Sequence, residues 1–261
     1  MPTEEFIIAV YCRVDEVLGA EPKHPQAKLY PSEVATLALL YALKGTGERA
    51  FYRWLTRDYA ALFPALPERT RLFRLFTAHR GWADRFLAEP TALGIADSYG
   101  VELRHPRRHG RATAQLGKKG LSNHRWIAGG KLCVLVNQWG RVVAWDSATA
   151  NVHDSAFHSL IARYDGQTLV LTDGNFHRQA GDPANMKVCK RGTWPQRILV
   201  ETVLSLLTRV CHLKRAGHRL WDSFQMHLAF AVAVFNLLAD WDGLREDEHG
   251  HTHLAIAEFS L

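Results

Sequence analysis

The sequence of 261 residues contains little cysteine, and its four cysteines are not arranged in metal-binding pairs. Cys12, Cys133, Cys189 and Cys211 are scattered along the chain without the short spacing that a zinc ribbon requires. This distribution excludes a cysteine-based zinc site. It is typical of a protein that works in a reducing cytoplasm, and we therefore expect a cytoplasmic location.

A secretion signal and a membrane-spanning segment are also missing from the sequence. Residues 1–19 are interrupted by acidic and basic side chains, so they lack the basic-then-apolar layout of a signal peptide. The longest apolar run, Met226 to Leu238, is too short to cross a bilayer and contains His227 and Asn236. It predicts a buried helix, and we expect no membrane partner.

Acidic residues are absent from two long windows, although the formal net charge of the chain is only +6. No aspartate or glutamate lies between Glu102 and Asp146, or between Glu201 and Asp222. The basic residues of the two windows are Arg104, Arg107, Arg108, Arg111, Lys118, Lys119, Arg125, Lys131, Arg141, Arg209, Lys214, Arg215 and Arg219. Such asymmetry indicates a phosphate-rich partner. The alternative is a solvated surface whose counter-charges come from the acidic C-terminal end.

The N-terminal third of the sequence has a helical pattern. Apolar residues recur at steps of three and four, as in Val34, Leu37, Ala38 and Tyr41, and glycine or proline pairs break the pattern into short segments. We assign residues 1–89 to a helical domain that binds DNA in the manner of a helix-turn-helix. The alternative, which the pattern alone supports equally, is a helical bundle that only packs.

Residues 90–261 have the pattern of a second domain, of the α/β class. The β-prone segments read "LGIADSYGVEL", "KLCVLVNQ", "RVVAWDSA", "TLVLTDGNF" and "NMKVCKR". A turn at Gln138 to Gly140 predicts an antiparallel hairpin between the second and third segments. Helices are predicted from near Asp154 and again after Pro195 through Leu238. The prediction is a mixed sheet flanked by helices.

Three carboxylates are placed so that the fold is able to bring them together. Asp97 and Asp173 each end an apolar β-segment, and α/β sheets bind ligands at the C-terminal ends of their strands. Glu201 stands in the apolar helical run "ILVETVLSLL", so it either lies on the solvent edge of that helix or is buried beside a cation. Three acidic oxygens suit Mg²⁺ or Mn²⁺. The alternative is a structural α/β domain in which the three acids are ordinary residues far apart.

Several neighbouring residues have two interpretations. Arg197 lies one helical turn before Glu201, where it would hold that carboxylate, bind a DNA phosphate or form a surface salt bridge. Asp154 is most simply the N-cap of a helix, and the alternative is a catalytic role. Trp126, Trp139 and Trp145 alternate with the basic residues and either stack on exposed bases or pack in the core.

The order of these carboxylates resembles that of the DDE transposases of bacterial insertion sequences, close to the IS982, IS5 and IS4 families. The segment "YPSEVATLALLY", followed by "FPALPERTRLFRLF", is similar to the N-terminal region of IS982-type transposases. The segment "ATANVHDS" resembles the one that precedes their second aspartate, and "RILVETVLSLL" resembles their Arg-x-x-x-Glu-Thr helix. The similarity extends over nearly the whole chain.

The resemblance implies an RNase H-like catalytic domain in residues 90–261 that cleaves and transfers DNA strands. Asp97, Asp173 and Glu201 would hold two divalent metal ions, Mg²⁺ or Mn²⁺. The partners would be double-stranded DNA, both the terminal inverted repeats and the target, bound by a homodimer in the bacterial cytoplasm. The expected DNA contacts are Arg104, Arg107, Arg108, Arg111, Lys118, Lys119, Arg125, Arg197 and Arg209. The alternative is a transposase-derived DNA-binding protein that no longer cleaves DNA.

Overall fold

The N-terminal third of the chain is helical, as its periodicity predicts. The computed structural model describes residues 2–105, 107, 116–122, 125–190, 197–214, 218, 220–241, 245–246 and 252–253. The first helices are α1 (Thr3–Leu18), α2 (Pro31–Lys44), α3 (Glu48–Asp58) and α4 (Arg69–Ala78), with short 3₁₀ turns at Ala60–Leu62 and Arg80–Phe86. Helix α2 begins at a proline, whose fixed φ favours a helix start, and ends at Gly45 with a left-handed φ of 58°.

A mixed sheet follows these helices, which confirms the predicted α/β class. Its strands are β1 (Leu93–Arg104), β2 (Lys118–Ser122), β3 (Arg125–Asn137), β4 (Val142–Thr149), β5 (Leu169–Thr172) and β6 (Met186–Val188). The order is β2–β3–β1–β5–β6, and β4 pairs with the part of β3 that continues beyond β2. The pairs that involve β3 are antiparallel, whereas β1 with β5 and β5 with β6 are parallel.

The strands match the predicted β-segments with one addition. The predicted hairpin is confirmed, because β3 and β4 pair antiparallel on either side of the turn at Gln138 to Gly140. Strand β2 is the addition, since its sequence "KKGLS" is too polar and too short to carry a clear strand pattern. Two further strands of two residues each, Arg245–Glu246 and Thr252–His253, pair with each other outside this sheet.

Three helices complete the described chain. A 3₁₀ turn at Asp154–Phe157 leads into α5 (His158–Ala162), and the C-terminal part forms α6 (Arg197–Arg209) and α7 (Trp221–Trp241). Helix α7 is 21 residues long, longer than the apolar run predicted, and by length and composition it is able to cross a membrane. Most of its surface is buried inside the fold, which is the environment of a core helix in a soluble protein.

One hydrophobic core joins the N-terminal helices to the sheet and to α7. Its buried members include Leu40 in α2, Val134 in β3 and Phe230 in α7. Helix α7 packs against α2 and against the turn at Arg80–Phe86. Residues 1–89 therefore share their core with the remainder of the chain, and their assignment to a DNA-binding domain stays a prediction.

Asn236 joins three parts of the structure from the interior of α7. Its amide nitrogen donates to the carbonyl oxygens of Phe86 (2.9 Å) and Val142 (2.7 Å), and its side-chain oxygen accepts from the Val142 amide (2.9 Å). The side chain is only 1% exposed. A buried polar group costs free energy unless it is hydrogen-bonded, so these three bonds fix α7 against the β4 edge of the sheet.

We predict that Asn236→Leu destabilises the protein by at least about 1–3 kcal/mol, because it keeps the volume but leaves buried backbone groups without partners. Urea unfolding of the variant and the parent measures the difference. Asn151→Leu is the control, since Asn151 is exposed and its substitution is expected to change stability little. Equal stability of Asn236→Leu and the parent would contradict the joining role.

Candidate active site

A cavity of about 500 Å³ opens beside the centre of the sheet and is lined by all three predicted carboxylates. We call it the carboxylate cavity. Its lining residues are Asp97, Ser98, Tyr99, Leu121, Ser122, Lys131, Asp154, Asp173, Asn175, Arg197, Glu201, Leu204, Ser205, Thr208, Arg209 and Lys214. Strand, loop and helix thus contribute acidic and basic groups to the same space.

Strand register places Asp97 beside Asp173. Strands β1 and β5 are parallel, with Ile95 opposite Leu171, so the same register two residues further brings the aspartates alongside each other. Asp173 directly follows β5, as predicted, and its Oδ1 accepts from the Asn175 amide at 2.9 Å. The carboxylate of Asp173 therefore begins the turn that leaves the sheet.

The prediction that Asp97 ends its strand was wrong. Strand β1 continues seven residues further, to Arg104, because it pairs antiparallel with β3 along almost its whole length. Asp97 lies in the middle of the strand, opposite Val134 of β3. The partner strand β5 is much shorter and ends beside Asp97, so this carboxylate faces the cavity from within a strand.

The electrostatic environment of Asp97 disfavours its charged form. Burial is the largest cause and raises the pKa of Asp97 to about 7 from an ordinary value of 3.8. The backbone amide of Ser98 donates to its Oδ1 at 2.7 Å and lowers the pKa, as does the charge of Arg197. The negative charges of Asp173 and Asp154 raise it. The floor of the cavity therefore holds a carboxyl group whose charged form is disfavoured mainly by burial.

Glu201 reaches the cavity from the exposed side of α6. The apolar side chains of this helix, Val200, Val203 and Leu207, point into the core, whereas the Glu201 side chain is 58% exposed. Of the two positions that the sequence allows for Glu201, the structure shows the one on the solvent edge of the helix. Its cation in this structure is Arg197, whose Nε donates to Glu201 Oε1 at 2.8 Å across one helical turn.

The three carboxylates line one cavity, but their side chains are not close enough together to bind one metal ion jointly. Among the residues that the structure describes, no three acidic, histidine or cysteine side chains lie close enough together to hold one ion. The chemistry of the donors nonetheless suits a hard cation, since Asp97, Asp173 and Glu201 offer oxygen atoms and the first two repel each other. Thus only Asp97 and Asp173 are adjacent, and Glu201 is held by Arg197.

Sequence reasoning missed the functional position of Asp154 and Lys131. Asp154 does not cap a helix, because His153 is the cap and its Nδ1 accepts from the Ser155 amide at 3.3 Å. Asp154 instead turns inward, where Oδ1 accepts from Lys131 Nζ (2.7 Å) and from Ser98 Oγ (2.7 Å). The signal available in the sequence was Lys131 itself, a charge at the start of the apolar run "KLCVLVN". A lysine buried in a strand requires an acidic partner.

The predicted DNA-contacting residues are divided among three surfaces. Arg197 and Arg209 line the carboxylate cavity. Arg104 and Arg125 line a neighbouring cavity, and Arg107, Lys119 and Arg125 line a third cavity. Lys118 is exposed on β2. Arg108 and Arg111 lie outside the described residues.

Two other cations of the acid-free window are buried. Lys131 is 8% exposed and pairs with Asp154, and Arg141 is 5% exposed and pairs with Asp240. The window is therefore less basic at the surface than its sequence indicates.

Comparison with known proteins adds no family assignment. No protein-family model matches the chain, and no curated protein matches it in sequence. The chemistry of the site and the topology of the sheet are therefore the basis for a functional proposal.

We predict that Lys131→Met destabilises the protein by about 3–5 kcal/mol, because it leaves the Asp154 carboxylate buried without its cation. Denaturant unfolding measures this loss, and the double variant with Asp154→Leu is expected to recover part of it. Arg57→Met is the matched control: its pair with Asp58 lies at the surface, where solvent screens it, so we expect its loss to change stability little. Equal losses in the two single variants would show that burial of the Lys131 pair is irrelevant.

A second prediction concerns pH. Because the pKa of Asp97 is raised on folding, the folded protein retains a proton that the unfolded chain releases, and this contribution to stability is present below about pH 4 and is lost as pH rises through 7. Asp97→Asn should therefore melt at a higher temperature than the parent near pH 8, and at the same temperature near pH 4. Thermal unfolding with a metal chelator present measures both. A constant difference between the two proteins across this range would contradict the assignment.

Proposed function

We propose that the protein is a DDE transposase that cleaves and joins DNA strands, with the carboxylate cavity as its active site. The observation that carries the proposal is the placement of Asp97 and Asp173 side by side on adjacent parallel strands, with Glu201 of α6 lining the same cavity. Acidic side chains from separate elements rarely share one cavity without a cationic ligand, because their repulsion destabilises the fold.

The strand topology supports an RNase H-like domain. Without β2, the order is β4–β3–β1–β5–β6, with the first three strands antiparallel and the last two parallel to β1. This arrangement is compatible with the order of carboxylates that the resemblance implies, with Asp97 on a strand, Asp173 at the end of a strand and Glu201 on a helix. Strand β2 is an additional strand on the edge of the sheet.

The residues of the cavity fit a role in holding Mg²⁺ or Mn²⁺. Asp97 and Asp173 would hold such ions directly, and Glu201 would join them on exchanging its present partner Arg197. Bound divalent ions would neutralise the scissile phosphate and lower the pKa of the attacking water or DNA 3′-hydroxyl. The chain offers no nucleophile of its own in this mechanism, so catalysis depends on position and charge.

The basic residues around the cavity would hold the DNA backbone. Arg197, released from Glu201, would present its planar guanidinium to two oxygens of one phosphate. Arg209 and Lys214 line the same cavity and would bind the neighbouring phosphates. Lys131 has a different role, since it is bound to Asp154 and the Val152 carbonyl and neutralises the charge beneath Asp97. Attack on phosphorus would release a 3′-hydroxyl at the cut.

One observation favours a second candidate, a transposase-derived protein that binds DNA without cutting it. Glu201 is paired with Arg197, and no three potential ligands among the described residues converge on one point. A chain that has lost cleavage would keep the basic surface and this ion pair. Metal-dependent nicking separates the two candidates, since only the active enzyme performs it.

We predict that Asp97→Asn, Asp173→Asn and Glu201→Gln each reduce DNA nicking by more than about 100-fold, since even residues that only support metal ligands contribute about 10- to 100-fold. DNA affinity should change little, because each substitution keeps the shape of the side chain. The assay uses labelled DNA that carries the ends of the encoding element, with and without Mg²⁺. Asp165→Asn, at an exposed turn outside the cavity, is the control.

The outcomes separate the two candidates and the individual roles. A parent protein that binds these ends but does not nick them in Mg²⁺ or Mn²⁺ supports the non-cleaving candidate. A variant that nicks as fast as the parent removes that residue from the metal site. A thermal shift with Mg²⁺ that occurs in the parent and is lost in Asp173→Asn would demonstrate metal binding independently of activity.

A further inference from the structure

A groove leads from the carboxylate cavity along the hairpin of β2 and β3. A cavity of about 520 Å³ adjoins the carboxylate cavity and shares Tyr99, Ser122 and Lys214 with it. A further cavity of about 480 Å³ adjoins this one and shares Glu102, His105 and Arg125 with it. We call these two adjoining cavities the hairpin groove. Because the hairpin groove adjoins the carboxylate cavity, it is a path for a molecule that leaves that cavity.

Trp126 projects from β3 at the outer end of this groove. Its side chain is 58% exposed, and its register partner on β2, Leu121, is 56% exposed. The ammonium of Lys119 lies 4.8 Å from the centroid of the Trp126 ring. An aromatic ring beside an apolar side chain on an exposed strand pair offers a flat surface on which another ring can stack.

The surroundings of Trp126 are basic. Arg107, Lys119 and Arg125 line the outer cavity together with His105 and Glu102. Among the described residues of that lining Glu102 is the only acid, and its Oε2 already accepts from Arg125 at 2.9 Å. The charge of this surface therefore complements a polyanion, and the exposed ring gives it affinity for something flat and apolar as well. Phosphates and unpaired bases supply both features together.

We propose that the hairpin groove binds single-stranded DNA, with one base stacked on Trp126 and the adjacent phosphates on Lys119 and Arg107. Duplex DNA does not meet this description, since its base faces are covered by their neighbours. The assignment of this strand as the one released beside the carboxylates rests on the proposed function. The binding itself depends only on the ring, the cations and the shape of the groove.

The experiment measures the affinity of the full chain for a short dye-labelled oligothymidine and for a blunt duplex, by fluorescence anisotropy at one salt concentration. Trp126→Ala is expected to weaken oligothymidine binding by about 5- to 100-fold, the range for loss of one stacked base, and to change duplex binding less than twofold. Trp126→Phe keeps a ring and should recover part of the affinity. Trp139→Ala is the matched control, because Trp139 is 36% exposed on the turn between β3 and β4, outside the groove.

Each outcome decides the proposal. Unchanged oligothymidine binding by Trp126→Ala overturns it, and so does an equal loss of single-stranded and duplex binding. A parent protein with no affinity for oligothymidine also overturns it and leaves the surface for an acidic protein partner. Circular dichroism establishes that the variants fold. If the chain binds oligothymidine through Trp126 but never nicks DNA, only the transposase proposal is overturned. If the chain nicks DNA but lacks this binding, only the proposal for the hairpin groove is overturned.

Discussion

Pairing of β1 on both of its edges is the constraint on which the rest of the structure depends. The antiparallel pairing with β3 extends β1 as far as Arg104, with an irregularity between Glu102 and Arg104, and the short parallel pairing with β5 ends just before Asp97. Because β5 stops there, the chain turns away at Asp173 and opens a cavity beside an intact strand. Any shift of register by one residue would turn Asp97 to the opposite face.

Charge is distributed in layers around this strand. Asp97, Asp173 and Asp154 place acidic groups at the floor of the cavity, and burial, with a smaller contribution from the charges of Asp173 and Asp154, raises the pKa of Asp97. Lys131 forms a buried ion pair with Asp154, whereas Arg197 forms an ion pair with Glu201 at the rim of the cavity. This arrangement allows the floor of the cavity to bind a cation and its rim to bind an anion. A metal ion bound to a DNA phosphate would satisfy both, which is why phosphoryl transfer is the chemistry that we propose.

The position of α7 makes the N-terminal helices part of the same body as the sheet. Its apolar surface is divided between α2 and the sheet, and Asn236 bonds to Phe86 on one side and Val142 on the other. An apolar helix of membrane-spanning length thus serves as the shared core of the fold. A DNA partner bound through residues 1–89 would therefore be held at a defined distance from the carboxylate cavity.

The helices of residues 1–89, the main strands and the β3–β4 hairpin could be predicted from the sequence, because periodicity and turn residues are local properties. The sequence also pointed to Asp97, Asp173 and Glu201, which line one cavity in the structure. It failed where burial or pairing joins distant segments. The length of β1 beyond Asp97 depends on β3, the inward turn of Asp154 depends on Lys131, and the burial of Arg141 depends on packing against α7. These three features depend on the tertiary structure, since both the pairing of a strand and the free energy of a buried charge are set by partners that lie far away in the chain.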